Sequence, residues 1–323
     1  MTSTTRPWVQ IPLSPPLKRQ PVFMTGFSFW AYILNRLNRT GGGYLAKDSV
    51  NIRLNTALGQ NFLKNDRIAR KMAEFIDLPV GSTVIEIGVG SGILTRVLLE
   101  RGFAVVGFEL DRRFVEVNHK LEGPACKLIY EDFLKADLGS IPDYVAYVAN
   151  IPYYITSPII ERIMFEGPRF SSALLMVQKE YAERLTASAG TKEYGVLTVN
   201  VNTFATVREL FQVSRSEFIP HPEVDSTVIE LRLLERLEEL PDRDGYRAFI
   251  RHCFSQRRKK LTNNLKSLID SPDELLLSCG IDTSVRAEEL SINQFKKLYR
   301  LYTLQREAGH GPENRSDREP GSL

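Results

Sequence analysis

Beyond residue 56 the apolar and polar positions follow two periods. Ile68, Met72, Phe75 and Ile76 fall on one side of a helix for which Asn65 is the N-cap. A turn at 79–81 leads into Thr83–Ile87, a β-branched apolar run broken only by Glu86, which reads as a buried strand. Glycine-rich residues 88–92 and a helix to about 101 follow. Further strands are predicted at 104–109, 127–130, 144–149 and 173–178, and near 206–213 and 226–233. Helices are predicted at 111–121 and 156–165. Strands alternating with helices predict βαβ units, hence an α/β fold with a mostly parallel sheet and helices on both faces. A charged link over 235–244 precedes a helical pattern running to about 304.

Composition adds little until it is divided along the chain. The 323 residues are 43% hydrophobic and 25% charged, which excludes disordered, collagen-like and coiled-coil chains. The net charge is +3. Residues 1–64 hold eight basic residues and one acid, a balance of +7, and the other 259 residues hold 34 basic and 38 acidic, a balance of −4. The expected organisation is a flexible basic extension (1–52), an α/β domain (53–240), a small helical domain (241–304) and a disordered tail (305–323). A targeting leader, or Met24 as the true start, are the alternatives for the extension. Its apolar stretch 23–34 is too short to cross a bilayer, so no membrane association is expected. Cys126, Cys253 and Cys279 stand far apart with no Cys/His cluster, which predicts neither a metal site nor a disulfide framework, and a cytoplasmic protein.

Three motifs carry candidate chemistry. In Glu86-Ile87-Gly88-Val89-Gly90-Ser91-Gly92 a strand runs through alternate glycines into a helix, so backbone can approach a ligand at a helix N-terminus. Glu109 closes the next strand, where a carboxylate can hold two ribose hydroxyls. Together they predict a nucleoside cofactor, either NAD or S-adenosylmethionine. The spacing G-x-G-x-G lacks the third glycine of dinucleotide sites, and an adjacent acid suits the α-amino group of a methionine moiety. Asp132-Phe133, after the third strand, offers an acceptor for an adenine amine and a ring to stack on it. By itself this pair reads more simply as a turn or N-cap. The most specific motif is Asn150-Ile151-Pro152-Tyr153 after the fourth strand. An amide oxygen, a backbone carbonyl beside a proline that supplies no N–H, and an aromatic ring make a site for a planar amine.

Residues 58–304 resemble the rRNA adenine N6-dimethyltransferases, and most of all the bacterial small-subunit (16S) type. The segments that carry the resemblance are LGQNFL at 58–63, EIGVGSGILT at 86–95, NIPYYIT at 150–156, QKE at 178–180, Tyr194-Gly195, FIPHPEVDS at 218–226 and FSQRRKKLTNNL at 254–265. The resemblance implies a Rossmann-like class I S-adenosylmethionine-dependent methyltransferase sheet plus a small α-helical C-terminal domain. It implies that Asn61, Leu63, Gly88, Gly90, Glu109, Asp132, Phe133 and Asn150 bind the cofactor. Asn150, Pro152, Tyr153 and Phe218 would form the catalytic pocket, with Tyr153 and Phe218 sandwiching a flipped adenine. Phe218, an aromatic close to a proline, reads from sequence alone as packing. The family's reaction is dimethylation of two adjacent adenosines in the terminal hairpin of small-subunit rRNA. Val89 departs from the proline frequent in the family.

Seven basic residues between 247 and 266 have no acid among them, which fits a phosphate-contacting helix region. Arg257, Arg258, Lys259 and Lys260 are its candidate RNA contacts. The expected partner is small-subunit rRNA in an immature 30S particle, bound by a monomer. The alternatives are a 23S rRNA adenine methyltransferase of the antibiotic-resistance type, or a non-catalytic nucleic-acid-binding factor of the same fold.

Overall fold

A computed structural model describes residues 60–234 and 242–307. The expected 1–52 extension, most of the link near 240 and nearly all of the tail lie outside the described residues.

The strands are β1 (Phe62–Leu63), β2 (Thr83–Ile87), β3 (Ala104–Phe108), β4 (Cys126–Ile129), β5 (Val145–Asn150), β6 (Phe170–Gln178), β7 (Ala205–Val213), β8 (Phe218–Ile219) and β9 (Ser226–Leu233). Seven of them form one sheet in the order β4-β3-β2-β5-β6-β9-β7. Pairing is parallel from β4 to β6, and β9 runs antiparallel to both of its neighbours. This is the α/β class that the sequence predicts. The central strands bury both faces, as parallel strands under helices must. Ile85, Ile87, Tyr147, Ala149 and Leu175 enter one core, and Val84, Ala146, Val148, Leu174 and Met176 enter the other. Helices α1 (Arg67–Glu74) and α2 (Ile93–Glu100) cover the second face with Ile68, Met72, Val97 and Leu98. Truncating one such buried Leu or Ile to Ala costs about 2–5 kcal/mol.

The predicted helix over 111–121 is instead three short turns. A 3-10 turn at Arg112–Phe114 leads into α3 (Val115–Asn118) and a second 3-10 turn at His119–Leu121. Asp111 starts the segment by accepting from Arg113 N at 3.1 Å. Asn118 points inward, its Nδ2 donating to Gly90 O at 2.8 Å, so this segment serves the glycine loop more than it follows its own period. Helix α4 (Thr156–Phe165) is where the sequence puts it. Helices α5 (Lys179–Leu185) and α6 (Val196–Asn202), which the sequence reading did not foresee, fill the crossover from β6 to β7.

The C-terminal helices are α7 (Arg243–Cys253), α8 (Leu261–Leu265), α9 (Pro272–Ser278) and α10 (Ile292–Glu307). Asp242 caps α7 through its carboxylate, which accepts from Asp244 N and Gly245 N. These helices share one continuous hydrophobic core with the sheet. Tyr246 sits edge-on to Phe204 and to Tyr299, and its hydroxyl meets Thr203 Oγ1 at 2.9 Å. Tyr194 donates to Leu290 O at 2.8 Å. The basic residues 257–260 form a turn between α7 and α8 where a helix was expected. Phe254 ends the preceding helix by turning into the core, and Lys259 N closes the turn onto Gln256 O. Among the described residues no helix is long and apolar enough to cross a membrane.

Candidate active site

A cavity opens at the carboxyl ends of β2, β3, β4 and β5, the edge where open α/β sheets bind ligands. Its walls combine the glycine loop with residues 60–63, 109–110, 131–134 and 150–155. Gly88 and Gly90 hold left-handed backbone, φ +80° and +53°. At Gly90 a side chain would also clash, since a Cβ there would lie 2.9 Å from Phe62 Cε1. Gly90 N donates to Glu109 Oε2 at 2.7 Å, and Asp111 N donates to Oε1 at 2.8 Å. Two backbone amides therefore fix the Glu109 carboxylate at the cavity wall and leave lone pairs on both oxygens for a diol. Burial pushes the Glu109 carboxyl upward, opposed by those same amides.

Glu86 lies deeper, 1% exposed. Thr95 Oγ1 donates to its Oε2 at 2.6 Å, while Oε1 has no partner. Burial pushes its carboxyl up to about 8, and the neighbouring Glu109 adds to the rise. A buried acceptor left unmatched costs about 1–3 kcal/mol. The ammonium group of a methionine moiety would match it. The residues present thus fit S-adenosylmethionine: an unmatched carboxylate oxygen for the amino group, glycines that put no side chain on the loop wall, and a carboxylate at the ribose position.

Asn150 ends β5 at the cavity. Its Nδ2 donates to Asn61 O at 2.8 Å, so its Oδ1 is turned away as an acceptor. Pro152 and Tyr153 continue the wall, and Tyr153 is anchored through its hydroxyl to Ser226 Oγ at 2.8 Å. Asp132 lines the cavity too, with Oδ1 accepting from Leu134 N at 3.0 Å in the turn role that sequence alone favours. Phe133 is buried, borders the cavity and stands edge-on to Phe108 at 5.3 Å. Asn61, Leu63, Gly88 and Gly90 are all on the wall.

Phe218 departs from the place that the resemblance implies and takes the packing role that sequence alone favours. It is fully buried, in the core that also holds Leu63 and Met72, and it is absent from the cavity wall. Antiparallel pairing of β8 with β1 turns its ring inward, so in this structure it packs and does not face a base. Arg257 also departs from expectation. It donates to Lys192 O at 2.7 Å and Tyr194 O at 3.2 Å, and pairs with Glu288 at 3.1 Å, so it ties α7 to the α5–α6 connection. Arg258, Lys259 and Lys260 are exposed, and no ion pair engages them among the described residues. Arg247, counted in the basic stretch, pairs with Glu161 and Asp244 and stacks on Phe165.

Sequence reasoning missed Leu110, 51% exposed at the cavity, and Gln60, and left Tyr154, 60% exposed there, out of the catalytic set. Apolar residues in loops give no periodic signal that would single them out. Among the described residues no cluster of His, Cys, Asp and Glu could hold a metal ion.

The sheet order, the glycine loop and the acid at the end of β3 define a class I S-adenosylmethionine-dependent methyltransferase. A family model described as ribosomal RNA adenine dimethylase matches residues 51–304, and the chain belongs to that family. The ribosomal RNA small subunit methyltransferase A of Thermotoga neapolitana is 41% identical over 253 residues, 78% of this chain and 92% of its own length. That of Lactobacillus acidophilus is 40% identical over 262 residues, 75% of this chain and 89% of its own. Among solved structures, a dimethyladenosine transferase from Plasmodium falciparum is similar with a TM-score of 0.68 and 28% identity, covering 77% of this chain and 99% of its own. The 23S rRNA methyltransferase ErmE is similar with a TM-score of 0.59 and 28% identity, covering 75% and 99%.

Proposed function

We propose that this protein dimethylates the N6 amines of two adjacent adenosines in the 3′-terminal hairpin of small-subunit rRNA, using S-adenosylmethionine. It acts as a monomer on an immature 30S particle in the cytoplasm. The observation that carries the reading is the Asn150 amide, which lines the same cavity as the glycine loop and is held through its Nδ2 by Asn61 O, leaving its oxygen free to accept. The names of the similar small-subunit enzymes favour this rRNA over 23S rRNA.

When bound, S-adenosylmethionine supplies a methyl group made electrophilic by its sulfonium. Glu109 would hold the ribose, Glu86 the amino group, and Asp132 with Phe133 the adenine. Leu63 and the backbone of Asn61, Gly88 and Gly90 would shape the remaining wall. Asn150 Oδ1 accepts one N–H of the target amine, and a backbone carbonyl at Ile151 or Pro152 accepts the other. Two acceptors draw the nitrogen towards tetrahedral geometry and localise its lone pair for attack. Tyr153, anchored at its hydroxyl, offers a ring face to the flipped base. Transfer leaves the positive charge on the methylated nitrogen, which then gives its proton to water. We assign RNA-backbone contact to the helical segment 241–304 through Arg258, Lys259 and Lys260. The fourth cation of that turn, Arg257, braces it from within.

The test is transfer of radiolabelled methyl groups to immature small subunits, with N6,N6-dimethyladenosine located in the rRNA. Asn150→Ala is expected to abolish transfer while binding RNA. Label confined to large-subunit rRNA would move the assignment to the 23S reading. RNA binding with no label would move it to a non-catalytic factor.

A further inference from the structure

The segment carrying β1 forms part of the cavity wall. At one end Gln60 Nε2 donates to Asp111 Oδ2 at 2.7 Å. One residue on, Asn61 O receives Asn150 Nδ2 at 2.8 Å. Next, the Phe62 ring packs against Phe114 at a centroid distance of 5.4 Å, and β1 pairs with β8. Asp111 is itself held. It is 8% exposed, and Arg113 donates to Oδ1 through Nε at 2.8 Å and to Oδ2 through NH2 at 2.5 Å. Asp111 N also donates to Glu109 Oε1. The orientation of the Asn150 amide is therefore set by a main-chain carbonyl whose neighbouring residue, Gln60, is pinned to an Arg-fixed carboxylate just beyond the end of β3.

We infer that Gln60 and Asp111 are positioning residues for methyl transfer, holding the Asn61 carbonyl where it fixes Asn150 with its acceptor oxygen towards the target amine. This rests on the proposed role of Asn150 and adds two residues to which the family resemblance assigned no role. Gln60 must act as a donor, because Asp111 beside Arg113 stays ionised and only accepts. A donor of different shape should therefore serve, and an acceptor of the same shape should not.

The experiment uses the full chain carrying Gln60→Lys, Gln60→Glu or Gln60→Ala, with cofactor affinity by calorimetry and methyl transfer under saturating cofactor. Gln60→Glu and Gln60→Ala should each lose about tenfold or more in kcat, the worth of one hydrogen bond to a charged group. Cofactor Kd should change by less than about threefold, and Gln60→Lys should keep most of the turnover. In Gln60→Glu the new carboxyl faces Asp111, with Arg113 and Glu109 behind it. Like charge raises its pKa, so lowering the pH protonates it and restores a donor. The ratio of Gln60→Glu to wild-type turnover should rise as pH falls. Equal loss in the Lys and Glu variants, or a pH-independent ratio, overturns the inference. Wild-type turnover in Asn150→Ala overturns the underlying reading instead, and the two failures are told apart by that variant.

Discussion

Glu86 gives the sharpest quantitative prediction. Its carboxyl is entombed beneath the cavity, accepts one hydrogen bond from Thr95 and has a bare second oxygen. Desolvation raises its pKa from 4.5 to about 8. Between those values the folded chain keeps a proton that the unfolded chain has released. Stability from this group is thus complete below about pH 4.5 and is lost as pH rises towards 8. At about 1.36 kcal/mol per pH unit the loss is on the order of 5 kcal/mol. Glu86→Gln keeps an acceptor for Thr95 and removes the titration. Urea unfolding of the cofactor-free protein should give nearly equal stabilities for wild type and variant at pH 5. By pH 8 the variant should be the more stable by several kcal/mol. Glu109 is shifted in the same direction and is coupled to Glu86, so the difference between the two proteins reads Glu86 together with that coupling. An ammonium group beside the bare oxygen reverses the balance, and cofactor uptake at pH 7 should release up to one proton, seen by calorimetry in buffers of different ionisation enthalpy. A wild-type-to-variant gap that is constant from pH 5 to 8 would refute the reasoning.

Gly90→Ala should weaken cofactor binding and cost about 1–2 kcal/mol of stability, because its φ of +53° and the Phe62 ring 2.9 Å from the added Cβ both oppose it. Calorimetry and thermal melts read the two effects. Arg257→Ala should lower stability by about 1–2 kcal/mol through loss of its ties to two carbonyls and Glu288. Arg258→Ala should leave stability unchanged and reduce the slope of log Kd for RNA against log salt by about 1. Phe218→Ala should cost about 3–5 kcal/mol as a core truncation, while Phe218→Leu keeps most of both stability and turnover. A stable Phe218→Leu protein that has lost turnover would return this ring to the base pocket.

The sheet was legible because its strands are short apolar runs with turns between them. Thr83–Ile87 and Ser226–Leu233 match their predicted limits. The segment after β3 was misread as one helix because its apolar spacing is nearly helical. Asp111 and Asn118 are claimed by Gln60, Arg113 and Gly90, and such tertiary hydrogen bonds leave no periodic trace. Strands β1 and β8 have two residues each, too few for any period to show, and the packing of Phe218 was legible only from its place near a proline, against the role the resemblance implies. The glycine loop, Glu109 and Asn150 were readable because their chemistry is tied to strand ends. Which of four consecutive cations would bend back onto carbonyls was not, since Arg257 and Arg258 differ only in what the fold sets opposite them.

The shared hydrocarbon interior beneath the sheet and the C-terminal helices has a mechanical consequence. Tyr246, Phe204, Tyr194 and Phe254, which precedes the turn at 257–260, pack in the same core as Ala149 and Ile151, the neighbours of Asn150. Under the proposed function the two work as the fixed jaws of a gauge. Under that function an RNA whose backbone and target base do not match that span reaches both only by bending. The elastic energy of the substrate would then add to discrimination between RNAs beside the contacts to any base.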